Sequence, residues 1–444
     1  MLFLLFPLIS SAQGLREAPL GVLVNPVLLA DYELPPRYLL KGATVHTAAG
    51  QVITNGEVLV VDGRIQEVGE TLGAAVGREI DLTGMHLYPG LISASSPLGL
   101  VEIGAVRATR DQREVGDFTP EVRSWLAINP DSELIPVARA GGVAYSLAVP
   151  GGGLVSGQSG LIQLDGWGME EMAFAKPVAL HVNWPGMGLR LQEKDRMDHP
   201  DKWKSAEDQD KERKRRVDEI TEFFADARAY VQLRKGGATS NIIPAWEAMR
   251  DYVNRKRPVY VHADDLRQIK SAVDWAQTNK VKIVICGGED AWLAKDLLAR
   301  AKVPVVYEHV LAQPARDTDV YDQPYRNPAI LTAAGVETAI SLGTGRFSAS
   351  IARDLSHAAA HAARHGLDEE AALRSITIVP ARIMGVADQV GSIEKGKLAT
   401  LIATDGPLLD VRSNVKRMWI AGKETDLSSR HTRLYEKYLK RPKR

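Results

Sequence analysis

Cysteine is almost absent from this sequence, since Cys286 is the only one among 444 residues. A single thiol excludes an intramolecular disulfide and a cluster of several thiolates around a metal. Because Cys286 stands at the end of an apolar run, we interpret it as a small buried hydrophobic residue rather than as a nucleophile.

Net charge and long apolar runs are missing as well. Lys+Arg and Asp+Glu both number 55, so no overall field favours nucleic acid or an anionic membrane surface. We therefore predict no nucleic-acid partner. No stretch reaches ~18 uninterrupted apolar residues, so no transmembrane segment is predicted. Aromatic residues make up 6% and glycines number 38, a balance that favours a loop-rich α/β protein over an all-helical one.

The N-terminus carries the apolar run MLFLLFPLIS, followed by the small residues Ser11 and Ala12. Such a run before small residues is typical of a secretory signal, although the basic start of such signals is missing here. We predict a signal peptide over residues 1–12 and export to the periplasm or the extracellular space. A buried N-terminal strand is the alternative interpretation.

The long middle part of the chain alternates between apolar runs and helical patterns. Eight runs lie at 86–92, 143–149, 160–164, 177–182, 259–262, 282–286, 303–308 and 337–342. This series predicts an α/β fold with a (β/α)8 TIM-like barrel, whose reactive groups lie at the C-terminal ends of the strands. The run at 160–164 could instead pair as a hairpin with its neighbour, and a doubly wound open sheet is the alternative architecture.

Short β-rich runs flank this region on both sides. Asp62-Gly63 between two apolar runs is a hairpin signal. We predict that 37–85 and 386–425 together form a small β-sandwich composed from both chain ends. The barrel then occupies 86–385, and 426–444 is a basic C-terminal tail.

Several motifs together resemble the amidohydrolase superfamily, in particular its imidazolonepropionase-like members. Asp81-Leu82-Thr83-Gly84 leads into Pro89-Gly90-Leu91-Ile92, and the element GSIEKGKLA follows at 391–399. The distance between these elements makes the resemblance specific. It implies a barrel with a β-sandwich built from both chain ends. It also implies metal-assisted hydrolysis of amide, cyclic amide or related C–N bonds.

The resemblance further implies a set of metal ligands at the strand ends, and this sequence departs from it. On the fifth strand His262 matches. The other positions do not: Ser95 and Pro97 after the first strand, Lys176 and His181 around the fourth, Cys286 on the sixth and Gly345 on the eighth. A catalytic zinc needs three protein ligands. We therefore predict that the metal site is lost and no cofactor is bound, with Zn²⁺ expected only at a rebuilt site.

Polar side chains near the strand ends are the remaining candidates. His262 with Asp265 is predicted as a catalytic acid–base pair that works without metal. The residues predicted to line a pocket are Ser93, Ser95, His181, Asp264, Glu308, His309 and Gly345. A polar rim hydrogen-bonded to loops is the alternative.

The leading functional hypothesis is an exported pseudoenzyme that binds an unidentified small molecule. It would act as a homo-oligomer or as the partner of an active amidohydrolase relative. The alternative is a hydrolase of non-peptide or cyclic C–N bonds with a reduced or relocated site around His181, His262 and His309.

Overall fold

The computed structural model describes residues 23–24, 37–73, 78–189, 191, 193–196, 199–237 and 240–442. The predicted signal peptide over 1–12 lies outside these residues and stays a prediction. None of the helices in the described ranges combines the length and the apolar character needed to cross a bilayer.

The strands fall into two sheets. In chain order they are β1 (Leu23–Val24), β2 (Arg37–His46), β3 (Val52–Val61), β4 (Arg64–Gly69), β5 (Glu79–Asp81), β6 (His86–Pro89), β7 (Leu91–Ser96), β8 (Val143–Ala148), β9 (Val155–Gln163), β10 (Ala173–Asn183), β11 (Val259–Ala263), β12 (Ile283–Gly287), β13 (Val305–Tyr307), β14 (Thr338–Ile340), β15 (Leu401–Thr404), β16 (Val415–Ile420) and β17 (Lys423–Glu424).

Helices connect most of the strands in the middle of the chain. They are α1 (Leu134–Ala140), α2 (Met169–Met172), α3 (Ala206–Lys235), α4 (Pro244–Val253), α5 (Leu266–Thr278), α6 (Lys295–Ala301), α7 (Gln323–Ala333), α8 (Ser348–Ile351), α9 (Leu355–Arg364), α10 (Glu369–Ser375), α11 (Ile378–Met384) and α12 (Arg430–Leu439). Short 3₁₀ segments lie at Arg107–Thr109, Ser124–Ala127, Lys194–Arg196, Pro200–Lys202, Ala291–Ala294 and Ala352–Asp354.

The first sheet is the barrel, in which β7 to β14 are neighbours in chain order. Its ends meet where Ser341 Oγ accepts a hydrogen bond from Ser95 N (3.0 Å) and donates one to Ser95 O (2.7 Å). Most neighbours are parallel, but β9 runs antiparallel to both β8 and β10. The predicted barrel is confirmed. The hairpin pairing considered for 160–164 is also present, because the third barrel strand, β9, pairs antiparallel with both neighbours.

Burial on both faces explains the composition of the barrel strands. Every residue of β7, β8 and β12 is buried, as expected for strands covered by helices outside and packed side chains inside. Helix α5 shows how the cover forms. It begins with a capping box at Asp265 and buries Ile269, Ala272, Val273 and Ala276 along one face, the spacing of an amphipathic helix.

The second sheet combines strands from both chain ends, in the order β17-β16-β15-β6-β2-β3-β4, with β5 beside β2. Its apolar core includes Tyr38, Val58 and Trp419. The apolar run at 86–92, predicted as one barrel strand, is divided at Gly90. The part before Gly90 is β6 of the second sheet, and the part after it is β7 of the barrel.

Candidate functional site

Two histidines meet inside the barrel at its C-terminal end. Adjacent parallel strands β10 and β11 carry His181 and His262, and 3.0 Å separates Nδ1 of His181 from Nε2 of His262. His181 is fully buried. Burial lowers the pKa of His262 to about 4, although the nearby Asp264 charge opposes this. Burial, and then the neighbouring His262, lowers the pKa of His181 well below its ordinary value. Both rings are therefore neutral at pH 7.

Glu308 and His309 follow β13 directly and lie at the same mouth. Burial raises the pKa of Glu308 to about 7, and the nearby Ser95 hydroxyl opposes this only in part. Nε2 of His309 lies 2.8 Å from Oδ1 of Asp264. Burial alone would lower the pKa of His309, but the hydrogen bond and the charge of Asp264 outweigh burial and raise it. The mouth thus holds one carboxyl that titrates near neutrality and one His–Asp pair.

Two glycines make room for these carboxylates. A Cβ at Gly287 would lie 2.2 Å from Oδ1 of Asp264, and a Cβ at Gly343 would lie 2.9 Å from Oε2 of Glu308. Both glycines also have positive φ, at +91° and +77°, a conformation that costs other residues energy. The glycines at the end of β12 and after β14 therefore shape the site.

The pairing of Asp264 with His309 leads to a prediction. We expect Asp264→Asn to lower the pKa of His309, because the amide keeps a polar contact but removes the negative charge that favours imidazolium. A proton NMR titration of the histidine ring signals measures this, with the His309 signal assigned by its loss in His309→Gln. Glu207→Gln, a change on the exposed start of α3, should leave the His309 titration unchanged. An unchanged pKa in Asp264→Asn would contradict the pairing.

A third feature of the mouth is a cluster of ligand-type atoms. One nitrogen of His262, the sulfur of Cys286 and one carboxylate oxygen of Glu308 all lie within 4.8 Å of one another. Cys286 is buried, whereas His262 and Glu308 are partly exposed. Burial, followed by the Glu308 charge, raises the pKa of the Cys286 thiol well above its ordinary value. The interpretation of Cys286 as a buried residue agrees with this structure, but its position beside two polar groups was not predicted.

Unpartnered polar atoms concentrate in the barrel. Among the described residues, six such buried side-chain atoms come from its strands or the residue after one: Ser95 Oγ, Ser146 Oγ, His181 Nε2, Trp184 Nε1, Tyr260 Oη and Glu308 Oε1. Buried polar groups are nearly always hydrogen-bonded, if not to protein then to water or a ligand. Clefts of 720, 570 and 260 Å³ on other parts of the described surface involve none of these six residues. The polar interior thus has capacity for hydrogen bonds to another molecule.

His262 and Asp265 have different partners in the structure, so they do not form the predicted acid–base pair. The Asp265 carboxylate accepts hydrogen bonds from the backbone N–H groups of Arg267 (2.8 Å) and Gln268 (3.0 Å) and so caps α5. The partner of His262 is His181 instead. The capping role of Asp265 had a signal in the sequence, because an aspartate one residue before a helix and a glutamine three residues later predict a capping box.

The other predicted pocket residues lie at different depths. Ser93 is buried within β7, and Asp264 lies on the rim with its side chain 52% exposed. Gly345 lies in the connection between β14 and α8 rather than at the strand end. The residue directly after β14 is Ser341, which the sequence analysis did not single out.

The residues present do not fit the metal-ligand set that the family resemblance implies. Ser95 and Ser341 stand at the ends of the first and last barrel strands, and they bond to each other across the barrel closure. Pro97 offers no ligand atom. Serine hydroxyls are weak ligands for the ions concerned. The inherited arrangement therefore has no counterpart at these positions.

The chain is similar to amidohydrolases in both sequence and structure. Residues 314–425 match the family model described as "Amidohydrolase family". A crystal structure of an amidohydrolase from Thermotoga maritima MSB8 is 27% identical and superposes with a TM-score of 0.75, covering 88% of this chain and 99% of that one. A molinate hydrolase structure, at 17% identity and a TM-score of 0.53, covers 88% of this chain and 95% of that one, and shares the fold.

Among curated sequences, amidohydrolase tasK of Hapsidospora irregularis is 24% identical over 407 residues. The match covers 83% of this chain but 39% of that protein. The chain therefore spans about two fifths of the length of this relative.

Proposed function

Because the chain belongs to the amidohydrolase superfamily, we propose that it is an exported member whose inherited metal centre has been replaced. In this proposal the barrel mouth binds a small polar molecule, and the protein acts alone, as a homo-oligomer or as partner of an active relative. The imidazolonepropionase-like motifs suggest amides, cyclic imides and ureas as the ligand class. Export rests on the apolar N-terminal run alone.

The observation that carries the proposal is the set of unpartnered polar atoms in a barrel whose first and last strand ends hold Ser95 and Ser341. A buried polar group without a partner costs about 1–3 kcal/mol. Six such groups would be costly to keep unless a bound molecule or water satisfied them. The partial exposure of His262 and Glu308 leaves a route into this interior.

A thermal-shift screen of untagged protein against linear amides, cyclic imides and ureas tests this proposal. We expect at least one compound to raise the melting temperature in a saturable way, because a ligand that binds only the folded state stabilises it by about 2.7 kcal/mol at one hundred times its Kd.

The variant Tyr260→Phe tests whether a stabilising compound binds inside the barrel or elsewhere on the protein. It removes one unpartnered hydroxyl while keeping the ring, and we expect it to weaken binding by several-fold if the ligand uses that hydroxyl. The matched control is Tyr252→Phe on α4. A double variant, Ser95→Ala with Tyr260→Phe, that binds as tightly as the parent would refute the proposed location.

The second candidate function is hydrolysis of C–N bonds at a relocated site. The cluster of His262, Cys286 and Glu308 favours it, because such groups can hold an ion or move a proton. Measurable turnover of a cyclic imide or amide that His262→Ala abolishes would establish this function and overturn the purely ligand-binding one.

A further inference from the structure

We propose that His262, Cys286 and Glu308 form a mononuclear site for a borderline transition-metal dication such as Zn²⁺. The site differs from the ligand set implied by the family resemblance, because it uses a thiolate from β12 and a carboxylate after β13. The metal site goes beyond the binding of a small molecule at the mouth, and each of the two proposals has its own test.

The positions of the three groups suit one ion. They come from three consecutive parallel strands or strand ends, and their ligand atoms lie within 4.8 Å of one another. In a tetrahedral zinc site, bond lengths of about 2.0–2.3 Å place neighbouring ligand atoms about 3–4 Å apart. Side-chain rotation alone can supply the contraction, since two of the three residues are only partly buried.

The donor types select the kind of ion. Imidazole, thiolate and carboxylate together favour Zn²⁺ or Co²⁺ over Mg²⁺ or Ca²⁺, which prefer oxygen ligands alone. Three protein ligands with a fourth position open to solvent are typical of catalytic rather than structural zinc. The partial exposure of His262 and Glu308 places that open position at the barrel mouth.

Two further observations favour a cation at this position. Oε1 of Glu308 has no hydrogen-bond partner, and within the described ranges its carboxylate pairs with no Lys or Arg. The buried thiol of Cys286 lies beside it, and its ligand atom is within 4.8 Å of that of Glu308. A dication would compensate both groups directly, as a ligand-bound charge.

His181 supplies the support that a metal-bound histidine usually has. Histidine ligands commonly donate their second ring N–H to a neighbouring acceptor, which orients the ring. The contact between Nε2 of His262 and Nδ1 of His181 (3.0 Å) can play this role. It leaves Nδ1 of His262 as the nitrogen available to the ion, and it assigns the His181 proton to Nε2.

Cobalt substitution tests the site on the full chain, purified without an affinity tag or chelating resin. We expect chelator-treated protein to bind one Co²⁺ and to develop the near-ultraviolet thiolate-to-cobalt charge-transfer band. Because Cys286 is the only cysteine, such a band has one source. Cys286→Ser should abolish it, and Glu308→Gln should weaken Co²⁺ binding by at least about tenfold.

The control addresses the three histidines at 357, 361 and 365, which lie on or just after α9 and are spaced to bind metal adventitiously. Replacing all three by alanine should leave the charge-transfer band unchanged. The proposal is overturned if the parent shows no such band at saturating Co²⁺, or if binding persists in Glu308→Gln and disappears in the triple variant. Glu308→Gln also decides the matter if Cys286→Ser fails to fold.

Discussion

We expect metal-free protein to lose stability steeply as the pH falls from about 6.5 to about 4. The reason is a set of buried and half-buried histidines that are neutral in the folded chain. Burial, with a smaller effect from His86, lowers the pKa of His46 to about 4, and burial lowers that of His262 to about 4. The pKa of His181 is also well below its ordinary value.

Acid lowers the free energy of unfolding because the unfolded chain takes up more protons. Between about pH 6.5 and about pH 4 the unfolded chain binds protons at these imidazoles and the folded chain does not, so acid favours unfolding. Above the ordinary histidine pKa of about 6.5, these imidazoles are neutral in both states and cost the folded chain no stability. His262 accounts for up to about 3 kcal/mol once the pH is below its folded pKa, and the half-buried His46 accounts for less, because solvent screens its charge.

Glu308 acts in the opposite direction. Because its folded pKa is raised to about 7, the folded chain binds a proton there before the unfolded chain does. This carboxyl therefore adds stability as the pH falls from about 7 to about 4.5. Burial also raises the pKa of Glu289 and Glu370. The three imidazoles act in the opposite direction, and so do paired carboxylates with a lowered pKa such as Glu394 and Asp410, so the net effect of acid remains destabilising.

His46 offers the cleanest variant because it lies in the second sheet, away from the barrel mouth. Its ring stacks on Tyr88 with centroids 4.3 Å apart, and its Nε2 lies 3.0 Å from Nδ1 of His86. We expect His46→Phe to keep the stacking and to reduce the acid-induced loss of unfolding free energy by about 2 kcal/mol.

Urea unfolding at about pH 7 and about pH 4.5, followed by circular dichroism, measures the effect. The control is Tyr88→Phe, which removes the hydroxyl that accepts a hydrogen bond from the backbone of Leu408. It should shift stability equally at both pH values. If His46→Phe retains the full acid loss of the parent, the assigned role of His46 is wrong.

The second large effect is expected at Gly90, where β6 of the second sheet passes into β7 of the barrel. A Cβ there would lie 2.6 Å from Cβ of Ala144 and 2.8 Å from Cγ2 of Thr400. Both neighbours belong to packed regions of the two sheets. We expect Gly90→Ala to lower the free energy of unfolding by about 3 kcal/mol, the upper part of the range for overpacking.

Two companion variants make the Gly90 result specific. An added Cβ at Gly168 meets no atom within 4 Å, so Gly168→Ala should change stability by less than about 0.5 kcal/mol. Adding Ala144→Gly to Gly90→Ala should restore part of the loss, because it removes the closer of the two clashes. A Gly90→Ala protein as stable as the parent would show that the two sheets can separate without cost.

Much of the architecture could be predicted from the sequence because its signals are local. Apolar runs alternating with helical patterns predict a barrel, and β-rich runs at both chain ends predict the second sheet. The resemblance placed Ser95 and Pro97 at the expected ligand positions. The same local reading missed the capping role of Asp265, whose signal was also present.

Local patterns could not predict which strand ends meet. Residues 86–92 form one apolar run, yet Gly90 divides them between two sheets because Ala144 and Thr400 pack against it. Likewise β9 runs antiparallel to its neighbours, which depends on pairing between segments rather than on their composition.

The sequence by itself determined the barrel and the composite second sheet, because periodicity and motif spacing depend on neighbouring residues, and the family resemblance added the prediction that the expected metal ligands are substituted. Only the tertiary structure decided that His262 meets His181, that Cys286 lies beside Glu308 and that Ser341 closes the barrel onto Ser95. These contacts join residues between 22 and 246 positions apart, and they depend on strand register, which a single sequence does not specify.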